Sequence, residues 1–338
     1  MNYSLQQPQI IPSSPTHLVF NARDIRKNLL KLKIDKPEIR IVYFGTPKFS
    51  AYILEKLIEW CQNPPVLGAS VLPQDVKLSE PRFVIQAVVT SPDRLVGRQQ
   101  KNSASLVSLV ATKYRLPILK PEKLDQDFIQ NHFSLLESDL FIVASFGKIL
   151  PQALLEIPRF GSINVHGSLV PKYRGASPIQ QAILNGDNKT GVTIMLMAEK
   201  LDSGPILATE EIDISKQDTF ETLSTKIAQE ATPLLIKTIQ KVVEGKIKPR
   251  GQNHALATYC HQIKKQDGYF DIESPPSPEK LDRMIRAYFP WPTAWTRWKG
   301  KIVKFLPNQA VQMEGKNPQP LISFLNGHAD FPIKKLLS

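Results

Sequence analysis

The sequence predicts an α/β protein: an open, mostly parallel sheet with helices on both faces, followed by a second, smaller, partly β domain. Three observations carry this. From Arg40 to about Ile214, short apolar runs alternate with stretches whose apolar residues recur at helical spacing, as strand–helix units do. A long amphipathic stretch from Thr219 to Glu244 then closes the pattern, and the chain beyond it turns basic and aromatic. Its 338 residues suffice for one large or two medium cores.

Residues 1–38 open polar and rich in Pro and Ser, then turn basic in "RDIRKNLLKLKIDK". They lack the apolar core of a secretory signal and read as a loosely ordered extension, with an organellar leader as the alternative. From Arg40, "IRIVYF" reads as a buried strand, "GTP" as a turn, and Lys48 to Trp60 as a helix with Phe49, Ile53, Leu57 and Trp60 on one side. Residues 61–82 form a Pro-rich insert. "FVIQAVVT" is the second strand, Leu106 to Tyr114 a helix, "LPIL" a short third strand and "FIQNHFSLLE" a helix. "DLFIVAS" is the fourth strand, followed by a turn and a short helix near Pro151. "GSINVH", "GVTIMLMA" and "PILATEEIDI" are three more strands.

The helix from Thr219 to Glu244 places Phe220, Leu223, Ile227, Leu234 and Val242 on one face, with a kink expected at Pro233 and a stop at Gly245. "KIKPRGQNHALATYCHQIKK" reads as an extended basic linker. The tail holds a short helix in "SPEKLDRMIRAY", an aromatic stretch in "FPWPTAWTRW" and strands such as "IVKFL". The chain therefore divides into an extension (1–38), a catalytic domain (39–245), a linker (246–264) and a C-terminal domain (265–338).

Apolar residues at 42% and charged residues at 22% are ordinary for a soluble globular chain, and no apolar run reaches the roughly 18 residues of a membrane helix. Cys61 and Cys260 form no metal-ligand cluster, so neither a structural metal nor a disulfide framework is expected, and a reducing, cytoplasmic setting is the simplest reading. Net charge is +12, and residues 241–338 alone hold 16 Lys and Arg against 8 Asp and Glu, which is +8 of it. A basic C-terminal module suits a polyanionic partner.

The stretch "SINVHGSLVPKYRGASPIQ" concentrates the chemistry. Asn164 and His166, two apart in a strand, project to one side at its C-terminal end, where ligands bind in open α/β sheets. A stiff basic turn with Pro171, Lys172, Arg174 and Gly175 supports them. In "EKLDSGPIL", Asp202 opens a tight turn that neighbouring strands of one sheet would bring beside His166. Taken singly, these are a buried Asn/His pair and an ordinary turn. Together they lack a strong nucleophile and suit attack by an external amine on a held carbonyl. Asn164 and His166 would donate to the developing oxyanion, while Asp202 would orient or charge the imidazole. "SFGKILP", with Phe146, Gly147, Ile149 and Leu150, fits either core packing or a wall for a flat heterocycle. "TSPDRLVGRQQKNS" is either a solvated loop or a phosphate grip through Arg94, Arg98 and Lys101. "FGTP" lacks a full dinucleotide fingerprint.

In this order, "FGTPKFS", "TSPDRLVGR", "ASFGKILP", "INVHGSLVPKYRGASPIQ", "GVTIMLM", "LDSGPIL" and "RAYFPWPTAW" resemble the methionyl-tRNA formyltransferases, a branch of the 10-formyltetrahydrofolate-using transferases, from about Arg40 to Phe305. The resemblance implies a Rossmann-like catalytic domain joined to a small oligonucleotide-binding-type barrel. It implies 10-formyltetrahydrofolate as formyl donor, without a metal, and initiator methionyl-tRNA as acceptor. It makes Asn164, His166 and Asp202 the catalytic trio and brings Ser168, Leu169, Val170 and Pro171 to the folate. The Arg94/Arg98 loop would meet the acceptor stem, with Lys101, Lys172 and Arg174 adding to the tRNA contact, in a chain expected to act as a monomer. Three departures stand out: the 61–82 insert, Val170 where relatives commonly read Leu, and only 33 residues after Phe305. Competing readings are a transferase that formylates a small amine such as a nucleotide-sugar or glycinamide ribonucleotide, a catalytically silent RNA-binding relative, and an NAD-dependent dehydrogenase.

Overall fold

A computed structural model of the chain describes residues 38–63, 81–96, 101–133 and 136–332. The N-terminal extension and most of the Pro-rich insert lie outside the described residues. The apolar runs become β1 (Glu38–Gly45), β2 (Arg82–Val89), β3 (Ile118–Leu119), β4 (Leu140–Ala144), β5 (Ser162–His166), β6 (Lys189–Leu196) and β7 (Ile206–Asp213), in one seven-stranded sheet ordered β7-β6-β5-β4-β1-β2-β3. β1 to β5 run parallel; β6 pairs antiparallel with β5, and β7 antiparallel with β6.

Both faces are covered, which explains why β1 and β4 read as unbroken apolar runs. Ile39, Ile41 and Tyr43, with Leu140 and Ile142, pack under α1 (Lys48–Gln62), α2 (Leu106–Lys113), α5 (Pro178–Asn185) and the long α6 (Phe220–Val243). Val42, Phe44, Phe141 and Val143 point the other way, onto α3 (Gln126–Phe133) and α4 (Gln152–Leu155). Phe141 is fully buried, with ring centroids 5.1 Å from Phe44 and 5.6 Å from Phe133. Phe141→Ala is expected to lower unfolding free energy by about 3–5 kcal/mol in denaturant titration, and a loss below about 1 kcal/mol would contradict this packing.

α6 starts on a capping box in which the Thr219 side chain accepts from Thr222 N–H and Thr222 returns the bond. It ends where Gly245, at φ 68°, turns the chain. Pro233 lies inside the helix, which continues through it. One expectation is corrected. The fully buried stripe is Leu223, Ile227, Ala231, Leu235, Ile239 and Val242, so Leu235 takes the inward place expected of Leu234, because four-residue steps from Ile227 reach 235.

The second domain has its own core. α7 (Pro278–Tyr288), β8 (Ala294–Trp298), β9 (Lys301–Leu306), β10 (Ala310–Met313), β11 (Gln319–Pro320) and α8 (Leu321–Gly327) enclose Phe270, Met284, Val303, Phe305, Val311 and Phe324. The strands form an antiparallel meander in chain order. α7 docks onto the first domain. Its Ala287 joins the main core, Arg283 Nη1 donates to Asn185 O at 3.4 Å, and Arg286 Nη1 donates to Asp218 O at 3.0 Å.

The segment read as an extended linker is pinned at both ends. Arg250 exchanges backbone hydrogen bonds of 2.7 and 2.8 Å with Ile206 on the edge strand β7. Tyr259–Cys260 pairs in parallel with Arg174–Gly175. Among the described residues, no helix is long and apolar enough to cross a membrane, and no group of three or more His, Cys, Asp or Glu is placed to hold a metal ion.

Candidate functional site

β5 ends at His166, and its pleat sends Asn164 and His166 to the face opposite Ile163 and Val165, which enter the core. β6 returns antiparallel beside it, and the β6–β7 turn carries Asp202 back to the same place. The Asp202 carboxylate collects three neighbours. Oδ1 accepts from Asn164 Nδ2 at 3.1 Å, Oδ2 accepts from the Gly175 backbone N–H at 2.8 Å, and Oδ2 lies 3.6 Å from His166 Nδ1. The sequence-predicted trio thus meets in space.

The imidazole is held from behind. His166 Nε2 lies 2.9 Å from Tyr173 O, and because a carbonyl only accepts, Nε2 carries the proton. Nδ1 is the ring nitrogen left to exchange a proton, and it faces Asp202. Tyr173 occupies φ 58° and Gly175 φ 120°, so this turn folds back sharply to supply both the carbonyl and the N–H. A Cβ on Gly175 would lie 2.1 Å from Cys260 O, which makes glycine obligatory there.

Asn164, His166 and Asp202 line a cavity of about 1070 Å³. Its walls include Phe146, Leu150, Met197 and Leu201, and it extends to Tyr52 on α1 and Thr225 on α6. The Ser145–Gly147 turn, with φ 49° at Ser145 and 80° at Gly147, brings backbone groups to its edge. Thr46 Oγ1 ties the loops after β1, β2 and β4 together through Ser91 Oγ at 3.0 Å and Phe146 O at 3.3 Å. Ile149 is 86% exposed at the rim, whereas Leu150 is 4% exposed and belongs both to the core and to the wall.

Two groups of expected site residues fall elsewhere. Ser168, Leu169, Val170 and Pro171 do not line this cavity. Ser168 Oγ turns inward to donate to Lys172 O at 2.6 Å, and Val170 fills a small apolar cluster with Met195 and Ile206. They form the turn between His166 and Tyr173, whose carbonyl lies 2.9 Å from His166 Nε2. Arg174, expected on a phosphate, is only 2% exposed; its guanidinium is spent on Gln252 Oε1, His254 Nδ1 and the Tyr259 hydroxyl, so it is not a surface phosphate grip. Lys172 is half exposed and paired with Asp187 at 2.7 Å. Partial burial alone would lower its pKa, and the hydrogen bonds to Asp187 and Tyr173 outweigh that and raise it.

The loop after β2 is a hairpin, Arg94–Val96 against Lys101–Ser103, with Arg94 exposed. Lys101 sits in its second strand, and Arg98 lies outside the described residues. Gln252 escaped the sequence reading altogether. No spacing or composition marks it, and only the fold brings the "RGQNH" stretch beneath the Asp202 turn.

With this geometry in hand, the comparisons are specific. Residues 68–239 match the formyl transferase family and residues 262–328 its C-terminal domain. The methionyl-tRNA formyltransferase of Halalkalibacterium halodurans is 40% identical over 267 residues, covering 79% of this chain and 77% of the relative. That of Thermosynechococcus vestitus is 38% identical over 290 residues, 85% and 80% of the two chains. Among solved structures, a 4-N formyltransferase from Francisella tularensis superposes with TM-score 0.58 at 17% identity, over 79% of this chain and 96% of that one. An N-formyltransferase from Helicobacter canadensis in complex with folinic acid and dTDP-3-aminofucose gives 0.54 at 18% identity, over 81% and 94%. These two likenesses concern the fold.

Proposed function

The chain belongs to the formyl transferase family, and from that premise we propose that it transfers a formyl group from 10-formyltetrahydrofolate to the amino group of initiator methionyl-tRNA, giving N-formylmethionyl-tRNA for translation initiation. The observation that carries the reading is the Asn164–Asp202–His166 constellation on the wall of a cavity large enough for parts of two substrates. The residues suit the donor. Phe146, Leu150, Met197 and Leu201 offer apolar walls, and the Ser145–Gly147 backbone offers hydrogen bonds to a heterocycle edge. When bound, the donor supplies an electrophilic formyl carbon.

The chain's own groups do the rest. Asn164 commits one Nδ2 hydrogen to Asp202 and keeps the other for the formyl oxygen as negative charge grows there. His166, with Nε2–H fixed on Tyr173 O, takes the proton of the attacking amine at Nδ1. Asp202 lies against that atom and stabilises the imidazolium that results, whose proton would pass to the donor nitrogen as its bond to the formyl carbon breaks and tetrahydrofolate leaves. Arg94, Arg98, Lys101 and Lys172, with the basic C-terminal domain, are assigned to the tRNA backbone.

Acceptor selectivity tests the proposal. Charged Met-tRNA is expected to accept the formyl group under conditions where an amino-sugar nucleotide and glycinamide ribonucleotide do not, and the reverse preference would reject tRNA as substrate. Arg94→Ala is expected to reduce the slope of log Kd for tRNA against log salt by about 1 while leaving folate binding unchanged, since each phosphate contact releases counterion. An unchanged slope would remove Arg94 from the tRNA contact.

A further inference from the structure

Asp202 is in a backbone conformation that few residues other than glycine adopt, although aspartate enters it more readily than most. Its φ is 46°, in the left-handed region, and it precedes Ser203 and Gly204 in a turn that must hold the carboxylate within reach of two other side chains. Such a backbone persists only where its surroundings fix it. What fixes it is a residue about 50 positions away. Gln252 Nε2 donates to Asp202 O at 2.9 Å and to Gly204 O at 2.7 Å, clamping the carbonyls of the residues on either side of Ser203.

Gln252 is itself held. It is 8% exposed, and its Oε1 accepts from Arg174 Nη2 at 2.6 Å and from Arg174 Nε at 3.2 Å. Arg174 donates further to His254 Nδ1 at 2.9 Å and to the Tyr259 hydroxyl at 3.3 Å. A buried guanidinium is costly unless its donors are satisfied, so this arrangement is built and not incidental. The same strap touches the other half of the site. Thr258 Oγ1 accepts from Tyr173 N–H at 2.8 Å, and Arg174 N–H donates to Thr258 O at 2.9 Å. Tyr173 O holds His166, and Gly175 N–H holds Asp202.

We infer that Gln252, on the segment joining the two domains, is a positioning residue of formyl transfer: anchored by Arg174, it sets the Asp202 turn, so the interdomain strap is part of the catalytic machinery. The inference rests on the proposed reaction and deepens it.

Gln252→Glu separates this from a purely structural role. The carboxylate keeps and strengthens the pairing with Arg174 but has no N–H for the Asp202 and Gly204 carbonyls. Expected are a thermal midpoint near that of the wild type, a fall in kcat of about tenfold or more, and KM values for folate and Met-tRNA within about twofold. Amide exchange of the segment containing Gly175, whose N–H depends on Asp202 Oδ2, is expected to quicken by about tenfold in the same variant. Arg174→Lys, which loses the two-pronged grip on Gln252, is expected to show the same kcat loss, and it carries the test should Gln252→Glu fail to fold. Wild-type kcat and wild-type exchange in the folded variants would overturn the inference, as would a change confined to KM. Failure of the proposed reaction would be seen instead in the wild-type protein, and the exchange measurement would still decide whether Gln252 sets the turn.

Discussion

Asp202→Asn or His166→Ala is expected to lower formyl transfer to Met-tRNA by at least about 100-fold, with folate binding close to that of the wild type. The geometry explains why each loss is severe. His166 Nε2–H is committed to Tyr173 O, leaving Nδ1 as the ring atom that takes a proton, and Asp202 Oδ2 is the anion 3.6 Å from it. Asparagine keeps the shape of the Asp202 side chain but removes the charge that stabilises the imidazolium. It also puts a neutral amide against both Asn164 Nδ2 and Gly175 N–H, and an amide offers an acceptor to only one of them through its single oxygen. Alanine at 166 removes the proton acceptor outright. Single-turnover rates with saturating Met-tRNA measure this directly, and a loss smaller than about fivefold in either variant would take that residue out of the chemistry.

Gly175→Ala is expected to damage stability and turnover together. A methyl there lies 2.1 Å from Cys260 O on a residue at φ 120°, a conformation side chains rarely tolerate. The backbone must move, at a cost of at least about 2 kcal/mol. Moving it withdraws the N–H that holds Asp202 Oδ2, so kcat is expected to fall by about tenfold or more in the protein that remains folded. The check pairs a denaturant titration with turnover per folded enzyme. An alanine variant with full stability and full kcat would mean that the turn is not as tightly constrained as its contacts with Cys260 imply.

The parts legible in the sequence were those with a local signature. Continuous apolar runs at β1 and β4 gave the buried strands, and the alternation along β5 placed Asn164 and His166 on one face. The Asp202 turn was legible because two strands bracket it. The quoted motifs carried the family resemblance, which the 40% identity to a curated relative now states independently. What escaped depends on contacts between distant segments. Arg174 reads as a surface cation beside Lys172, and only the fold shows it sealed under Gln252, His254 and Tyr259. Ser168 to Pro171 read as ligand-facing by resemblance, yet Val170 packs on Met195 and Ile206. Segment 246–264 reads as a linker from its charge and glycine, while hydrogen bonds to β7 and to the 171–176 turn make it a strap. Leu234 and Leu235 are adjacent apolar residues, and only the register of α6 against the sheet decides which one is buried.

The cavity holding Asn164, His166 and Asp202 is expected to move a formyl group onto charged methionyl-tRNA. The most direct measurement follows labelled formyl from 10-formyltetrahydrofolate in the presence of Met-tRNA, with uncharged tRNA and free methionine in parallel. Label is expected on the charged tRNA alone, released as N-formylmethionine when the ester is hydrolysed. Label on free methionine or on a small amine, or plain hydrolysis of the donor with none on Met-tRNA, would contradict the account.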